Sequence, residues 1–239
     1  MDLKDQRVVI MGGSSGIGLA TARMLTEARA QVVITGRSQE KVEAAVAELG
    51  AGVQGAAVDA TSREQLQTFF RKYGEFQHLV IAVSGAGGAG AFRTLDLQAL
   101  RNGFDAKFWA HLEIAQASLE TLQQDGSITF ITAGSSRAAL PETMGLAAIN
   151  GALDSIVPTL ALELKPLRIN AVSPGVIATP WWDRVPEAFR NTIFSQTAAS
   201  LPVGRVGQPE DVAEAIVFLI KNGFMTGTII DCDGGGRLK

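Results

Sequence analysis

Arg7-Val8-Val9-Ile10-Met11-Gly12-Gly13-Ser14-Ser15-Gly16-Ile17-Gly18 runs from an apolar strand into a glycine-rich turn, and Leu19 to Leu25 continues with a helical pattern. Glycines permit a tight turn and let the backbone approach a ligand closely. The helix start behind them offers unpaired N–H groups and a positive dipole end, which suits a pyrophosphate. The spacing G-x-x-x-G-x-G differs from the common dinucleotide fingerprint G-x-G-x-x-G, so the strand before and the helix after carry the reading. A glycine turn that merely joins strand to helix is the plain alternative.

Outward from that turn, strands and helices alternate. Gln31 to Thr35, Gly52 to Val58, Leu79 to Val83, Ser127 to Thr132, Arg168 to Ser173 and Thr228 to Asp231 read as strands. Residues 38–49 carry Val42, Ala45, Val46 and Leu49 on one helical face, and Ser62 caps a helix running to Tyr73. Residues 96–123 read as one long helix or two joined ones. Residues 145–165 read as a helix bent at Pro158, and 209–221 as a helix opened by Pro209. Most strands are continuously apolar, the mark of a parallel sheet covered on both faces. The expected architecture is one α/β domain over residues 1–239, a Rossmann-type doubly wound fold with a mostly parallel seven-stranded sheet.

Composition narrows the partners. Of the 239 residues 46% are hydrophobic, enough for a large core, and a net charge of −3 gives no reason to expect nucleic acid or an anionic membrane. No apolar run reads as a membrane span, and no basic-then-apolar leader opens the chain. Cys232 is the only cysteine and cannot form an internal disulfide, so a cytoplasmic location is the expectation. No metal site is expected.

In doubly wound sheets ligands bind beyond the C-terminal strand ends. The glycine turn, Arg37, Asp59, Ser84-Gly85, Thr132-Ala133 and Pro174-Gly175 all fall there. An NAD-preferring site places an acid after the second strand to bond the ribose. Gly36 stands there instead, followed by Arg37-Ser38, and the arginine fork fits a 2′-phosphate. The expected cofactor is therefore NADP(H), with a solvated loop arginine as the alternative for Arg37. Asp59, followed by Ala60, either contacts the adenine or shapes a turn.

These motifs resemble those of the short-chain dehydrogenases/reductases over nearly the full length. Gly12-x-x-x-Gly16-x-Gly18 is similar to their cofactor motif, and Arg168-Ile169-Asn170-Ala171-Val172-Ser173-Pro174-Gly175-Val176-Ile177-Ala178-Thr179 to their nicotinamide-side motif. The stretches Gly204 to Ala213 and Thr226 to Gly235 resemble their C-terminal signature. The resemblance implies that Gly12, Ser14, Ser15, Gly16, Ile17 and Gly18 cradle the cofactor. Ala82 and Ser84 would line it after the fourth strand, where the family's asparagine pair is absent. Pro174, Gly175, the Ile177 backbone and the Thr179 hydroxyl would hold the nicotinamide side. The resemblance also implies a small-molecule substrate, a lid over residues 181–201 and a homodimer or homotetramer through the apolar faces of 96–123 and 145–165.

The family's chemistry rests on an Asn–Ser–Tyr–Lys set, and the chain departs from it throughout. By alignment Leu146 stands at the tyrosine, Asn150 at the lysine, Ala133 at the serine and Lys107 at the asparagine. Tyr73 is the only tyrosine, and no Y-x-x-x-K occurs anywhere. Leucine has no proton to give, alanine no hydroxyl and asparagine no charge to shift a neighbour's pKa. Asn150 remains a candidate for the nicotinamide ribose.

Lys107 is the leading replacement, as an acid or base, a fixed cation for an anionic substrate, or a phosphate partner, against a plain helix-surface lysine. His111 lies one turn later on the same face, with packing as the alternative. Ser135, Ser136 and Arg137 either reach substrate or form a turn, and nothing distinguishes Glu142 or Thr143. His78 precedes the fourth strand, at the end away from the site. Trp181 and Trp182 either cover the pocket or pack beneath the loop. Trp109, beside Phe108, reads as core or interface. Two functions remain open: an NADPH-dependent oxidoreductase with a non-standard proton donor, Lys107 or Ser135, and a catalytically inactive NADP(H)-responsive binding protein.

Overall fold

The computed structural model describes residues 2–85 and 87–238; Met1, Lys239 and Ala86 of the glycine-rich run 84–90 lie outside the described residues. Seven strands form one sheet: β1 (Arg7–Met11), β2 (Gln31–Gly36), β3 (Val53–Ala57), β4 (Phe76–Ile81), β5 (Leu122–Ile131), β6 (Arg168–Pro174) and β7 (Ile229–Cys232). Their order is β3-β2-β1-β4-β5-β6-β7, and every pairing is parallel.

Continuous apolar strands follow from burial on both faces. Val9, Met11 and Val33 point into one core with Leu66, Phe69 and Phe70 of α3 (Arg63–Tyr73), Ile114 of α5 (Ala110–Ser118), and Leu153 and Val157 of α6 (Met144–Glu163). Their neighbours Val8, Ile10 and Ile34 point the other way. There they meet Leu25 of α1 (Gly16–Glu27), Val42 of α2 (Gln39–Leu49) and Ile216 of α8 (Pro209–Lys221). Because β1 and β4 adjoin while the chain winds outward in both directions, the crevice above this pair is the switch point.

Local chemistry sets the helix starts. Ser38 and Ser62 accept from Lys41 N and Gln65 N as caps, and Gln208 with Asp211 forms a capping box ahead of Pro209. Pro158 lies inside α6.

Three segments differ from the sequence reading. The expected helix over 96–123 is α4 (Leu97–Phe104), a π-helical turn (Asp105–Trp109) and α5, and the chain has turned into β5 by Leu122. Ser118 ends α5 by turning its hydroxyl back to Ala115 O, a hydrogen bond that Leu119 and Leu122, at apolar spacing, conceal in the sequence. β4 starts at Phe76, so His78 sits within the strand rather than before it. It is buried because Ser127 Oγ satisfies its Nδ1 at 2.9 Å. The segment 181–201 folds as a 3₁₀ turn (Pro180–Arg184) and α7 (Glu187–Ser200), which buries none of its side chains. Also against the sequence reading, α6 is long and apolar enough to cross a membrane by length and composition. In this fold it is a core helix, holding Ile149, Leu153, Val157 and Ala161 in the interior.

Candidate active site

Gly18 sits in the first turn of α1 with its Cα against the strand that precedes it. A Cβ there would lie 2.2 Å from Gly12 O. Gly12, at φ +87, presses as closely on Ala82: an added Cβ would meet the Ala82 carbonyl at 2.9 Å. The turn is thus wedged into the crevice between β1 and β4, where Ala82 N also bonds Met11 O. Ser15 precedes α1 without capping it through its side chain, and no acidic residue occupies the first turn. The helix start is left to an anion. From β6, Thr179 closes over this turn, its Cβ 3.3 Å from the position of a Gly16 Cβ. Ile177 is buried beneath it, and Pro174 and Gly175 end the strand.

At the β2 end a Cβ on Gly36 would stand 2.5 Å from Ser14 Oγ and 3.1 Å from Val42 Cγ2, so the position accepts nothing larger than glycine without moving Ser14. Arg37 is exposed just beyond. Ser38 spends its hydroxyl as the cap of α2. Asp59 makes the turn of its own alternative: its Oδ1 accepts from Thr61 N and Thr61 Oγ1, at 2.9 and 2.8 Å. These bonds first, then the Arg37 charge, hold its carboxyl below the usual range. Ala60 follows it, half-buried, and Ser84 stands exposed after β4.

On the other side of the crevice the wall is made of side chains. The π turn adds a residue to the α4–α5 helix and directs Lys107 at the end of β5, where Nζ donates to Thr132 O at 3.2 Å. Burial lowers the Lys107 pKa to about 8, with the charge of Asp154 acting the other way. His111, fully buried, donates from Nε2 to Val83 O at 3.0 Å and stacks on Phe130. Burial, then the Lys107 charge, pushes its pKa to about 3, so it is neutral.

Asn150 is buried on α6. Its Nδ2 donates to Leu146 O at 2.8 Å and to Ser135 Oγ at 3.2 Å. A carbonyl only accepts, which fixes the amide nitrogen on that side and leaves Oδ1 buried without a partner among the described residues. Ser135 Oγ receives that bond, and among the described residues its own proton has no recorded acceptor. Ser136 Oγ instead donates to Asp154 Oδ2 at 2.6 Å, and Arg137 bridges Asp154 and Asp231 at 3.7 and 3.1 Å. Ala133 and Leu146 add no polar atom. Glu142 accepts from Gly90 N through its backbone carbonyl, and Thr143 bonds Leu140 O.

The 3₁₀ turn Pro180–Arg184 reaches across this wall. Trp181 Nε1 donates to Gly85 O at 3.2 Å, and a Cβ on Gly85 would lie 2.9 Å from Ala106 Cβ, the residue before Lys107. Trp182 Nε1 bonds Ile177 O at 3.0 Å and packs edge-on against Phe194 of α7. Trp109 is exposed.

Lys107, on Thr132 O, the Asn150–Ser135 pair and Thr179, over Gly16, all stand at or just beyond the C-terminal strand ends, whereas His78 lies back within β4. Asp154 is a residue the sequence reading missed. Its signal was an acid in an otherwise mostly apolar helix, four residues after Asn150.

A family model described as enoyl-(acyl carrier protein) reductase matches residues 12–236. The chain belongs to the short-chain dehydrogenase/reductase family. It is 31% identical to the short-chain dehydrogenase/reductase ATR9 of Stachybotrys chlorohalonatus, covering 99% of each chain. It is 29% identical, with the same coverage of both, to a 3α-hydroxysteroid dehydrogenase of Mediterraneibacter gnavus. Among solved structures, a small-chain dehydrogenase in complex with NADPH superposes with a TM-score of 0.85 at 31% identity, over 99% of this chain and 100% of that one.

Proposed function

We propose that this protein is an NADPH-dependent oxidoreductase of a small molecule in which Lys107, not a tyrosine, serves the reacting oxygen. The observation that carries the reading is the Lys107 ammonium, partly buried at the wall of a dinucleotide crevice and bonded, among the described residues, to Thr132 O alone. The residues fit the cofactor. Gly12, Gly16 and Gly18 leave backbone where side chains would stand, α1 begins uncapped, and Asn150 Oδ1 is a buried acceptor suited to a ribose hydroxyl. Gly36 bars an acid at the ribose end and Arg37 offers its fork to a 2′-phosphate. A related structure that holds NADPH supports the same choice.

A bound nicotinamide would supply the hydride. Lys107 donates a proton to the oxygen on which negative charge develops, and the free proton of Ser135 gives that oxygen a second hydrogen bond. With a pKa of about 8, Lys107 is mostly charged at neutral pH yet loses its proton readily. Trp181, bonded to Gly85 over the π turn, excludes water from this side. Exposed Trp109 at the π turn and Leu162 on α6 are the apolar faces through which copies would pair as a homodimer or homotetramer.

NADPH consumption followed at 340 nm against a broad carbonyl and imine panel tests the reading. Lys107→Met should lower turnover by about 10²–10⁴-fold while NADPH affinity stays within several-fold. Tight NADPH binding without turnover of any panel member would instead favour a binding protein that senses the cofactor. Wild-type turnover in Lys107→Met would remove the lysine from the chemistry.

A further inference from the structure

The 3₁₀ turn after β5 (Gly134–Ser136) carries Ser135, yet none of its three residues is buried. Among the described residues its backbone hydrogen bonds stay local, from Ser136 N to Ala133 O and from Arg137 N and Ala138 N to Gly134 O. Its placement over the sheet therefore falls to side chains. Asn150 bonds Ser135 and Asp154 bonds Ser136, both from α6. The third tether leads elsewhere. Arg137 Nε stands 3.7 Å from Asp154 Oδ2 and closer, 3.1 Å, to Asp231 Oδ1 of β7. Asp231 is shared: Arg237 Nε reaches its other oxygen at 3.3 Å, and Arg237 Nη1 donates to Asp233 Oδ1 at 3.2 Å. The turn after β7 closes on that last carboxylate, which accepts from Gly235 N and Arg237 N, both at 2.9 Å.

Charge alternates along this ladder of Asp154, Arg137, Asp231, Arg237 and Asp233. The three carboxylates are only 12, 14 and 8% exposed. Isolated surface pairs are worth little, but carboxylates this far from water need their cations, and a shared planar guanidinium fixes direction as well as charge. The ladder also passes over the end of β6. A Cβ on Gly134 would stand 3.3 Å from Pro174 O, and one on Gly175 would stand 2.9 Å from Asp233 Cα. Resting on the role given to Ser135 above, we propose that Arg137 is a positioning residue for Ser135, anchored by Asp231 and, through Arg237, by the turn after β7. With its guanidinium held on β7, the turn cannot swing off the end of β5, and the Ser135 hydroxyl keeps one place beside Asn150.

The first test needs no substrate. Hydrogen exchange of the Ser136 amide is followed in the full chain, with the amides of β1 as the control for global unfolding. Arg137→Gln should speed it about tenfold. Arg237→Gln, which lies beyond Asp231 and is bonded to no atom of the turn, should speed it about threefold. Raising salt to about 1 M should loosen the turn in the wild type and change little in Arg137→Gln, because screening releases only what charge holds. An unchanged Ser136 amide in either variant, a loosening confined to the Gly235 amide in Arg237→Gln, or equal salt effects in wild type and Arg137→Gln overturns the proposal. If Arg137→Gln does not fold, Arg237→Gln decides alone. The second test uses any substrate the panel yields. Arg137→Gln should lower kcat about tenfold with KM within about threefold, Arg137→Lys should recover part of the loss, and adding Arg137→Gln to Ser135→Ala should slow the enzyme no further. Losses that multiply in the double variant, or a change in KM alone, would refute this inference and leave the reading of function standing. No turnover at all would end that reading and leave the exchange data to decide this one.

Discussion

One wall of the crevice is built from backbone and the opposite wall from side chains. On the β1 side Gly12, Gly16 and Gly18 bring main chain against main chain, and no side-chain chemistry is needed to receive a pyrophosphate. On the α6 side Asn150 bonds Ser135 and Asp154 bonds Ser136, while Lys107 reaches Thr132 O at the end of β5; among the described residues Asn150 Oδ1 and Asp154 Oδ1 are buried without a partner. Backbone geometry tolerates almost no substitution, because an added carbon collides with peptide atoms that cannot rotate away. Side-chain chemistry can be exchanged residue by residue while the helix beneath it stays in place. On the proposed reading the chain fits that difference: its glycine turn resembles the family's pattern, and the residues aligned with the family's chemical set, Lys107, Ala133, Leu146 and Asn150, stand on the other wall.

The sharpest way to break this comparison is Gly18→Ala. The new methyl would sit 2.2 Å from Gly12 O, so either α1 or the turn must shift. A cost of about 1–3 kcal/mol in stability and loss of measurable NADPH binding are expected, read by thermal unfolding and by a fluorescence titration. Retained affinity would mean that the turn is not the pyrophosphate site. Smaller is the effect expected of Arg37→Ser, which removes a side chain from the same wall but leaves its backbone intact. Preference for NADPH over NADH should narrow roughly ten- to hundredfold, the worth of one or two charge-assisted hydrogen bonds. A wild type binding both cofactors equally would refute the phosphate assignment.

The same contrast explains what was legible in the sequence. A backbone wall is written in glycines at fixed spacing after a strand, so Gly12, Gly16, Gly18 and the parallel order of the sheet could be read directly. The π turn could not, because inserting one residue among Phe104, Phe108 and Trp109 preserves an apolar helical spacing. α7 was read only as a lid, since Glu187 to Ser200 buries nothing and so shows no core-facing stripe. Asp154 was not singled out in the sequence: only the fold shows that Ser136 turns back to meet it. Likewise His78 read as a residue before β4, because a polar side chain in a buried strand needs its partner, Ser127, from the neighbouring strand.

The smallest expected effect separates two buried histidines, one on a helix and one in a strand. His111 backs the side-chain wall and His78 lies at the opposite end of the sheet. Burial is the main cause of depression in both, with a pKa of about 3 for His111 and about 4 for His78. The unfolded chain titrates near the ordinary value of about 6.5, so between pH 6.5 and 4 it binds protons that the native state refuses. Native stability is therefore complete above pH 6.5 and falls as the solution is acidified, each histidine contributing a slope of about 1.4 kcal/mol per pH unit. His111→Gln keeps a donor where Nε2 meets Val83 O, and His78→Asn keeps a polar atom where Nδ1 meets Ser127. Either change should remove one histidine's share of the acid slope in urea unfolding curves taken from pH 7 to 4. They should differ in one respect. Losing His111 removes a ring stacked on Phe130 behind the Lys107 wall and frees the Val83 segment beside the crevice, so NADPH affinity should weaken several-fold. Losing His78, which lies back within β4 and bonds Ser127, should leave affinity unchanged. Equal affinities in the two variants would show that the His111–Val83 bond serves only the core, and that the side-chain wall ends at Lys107.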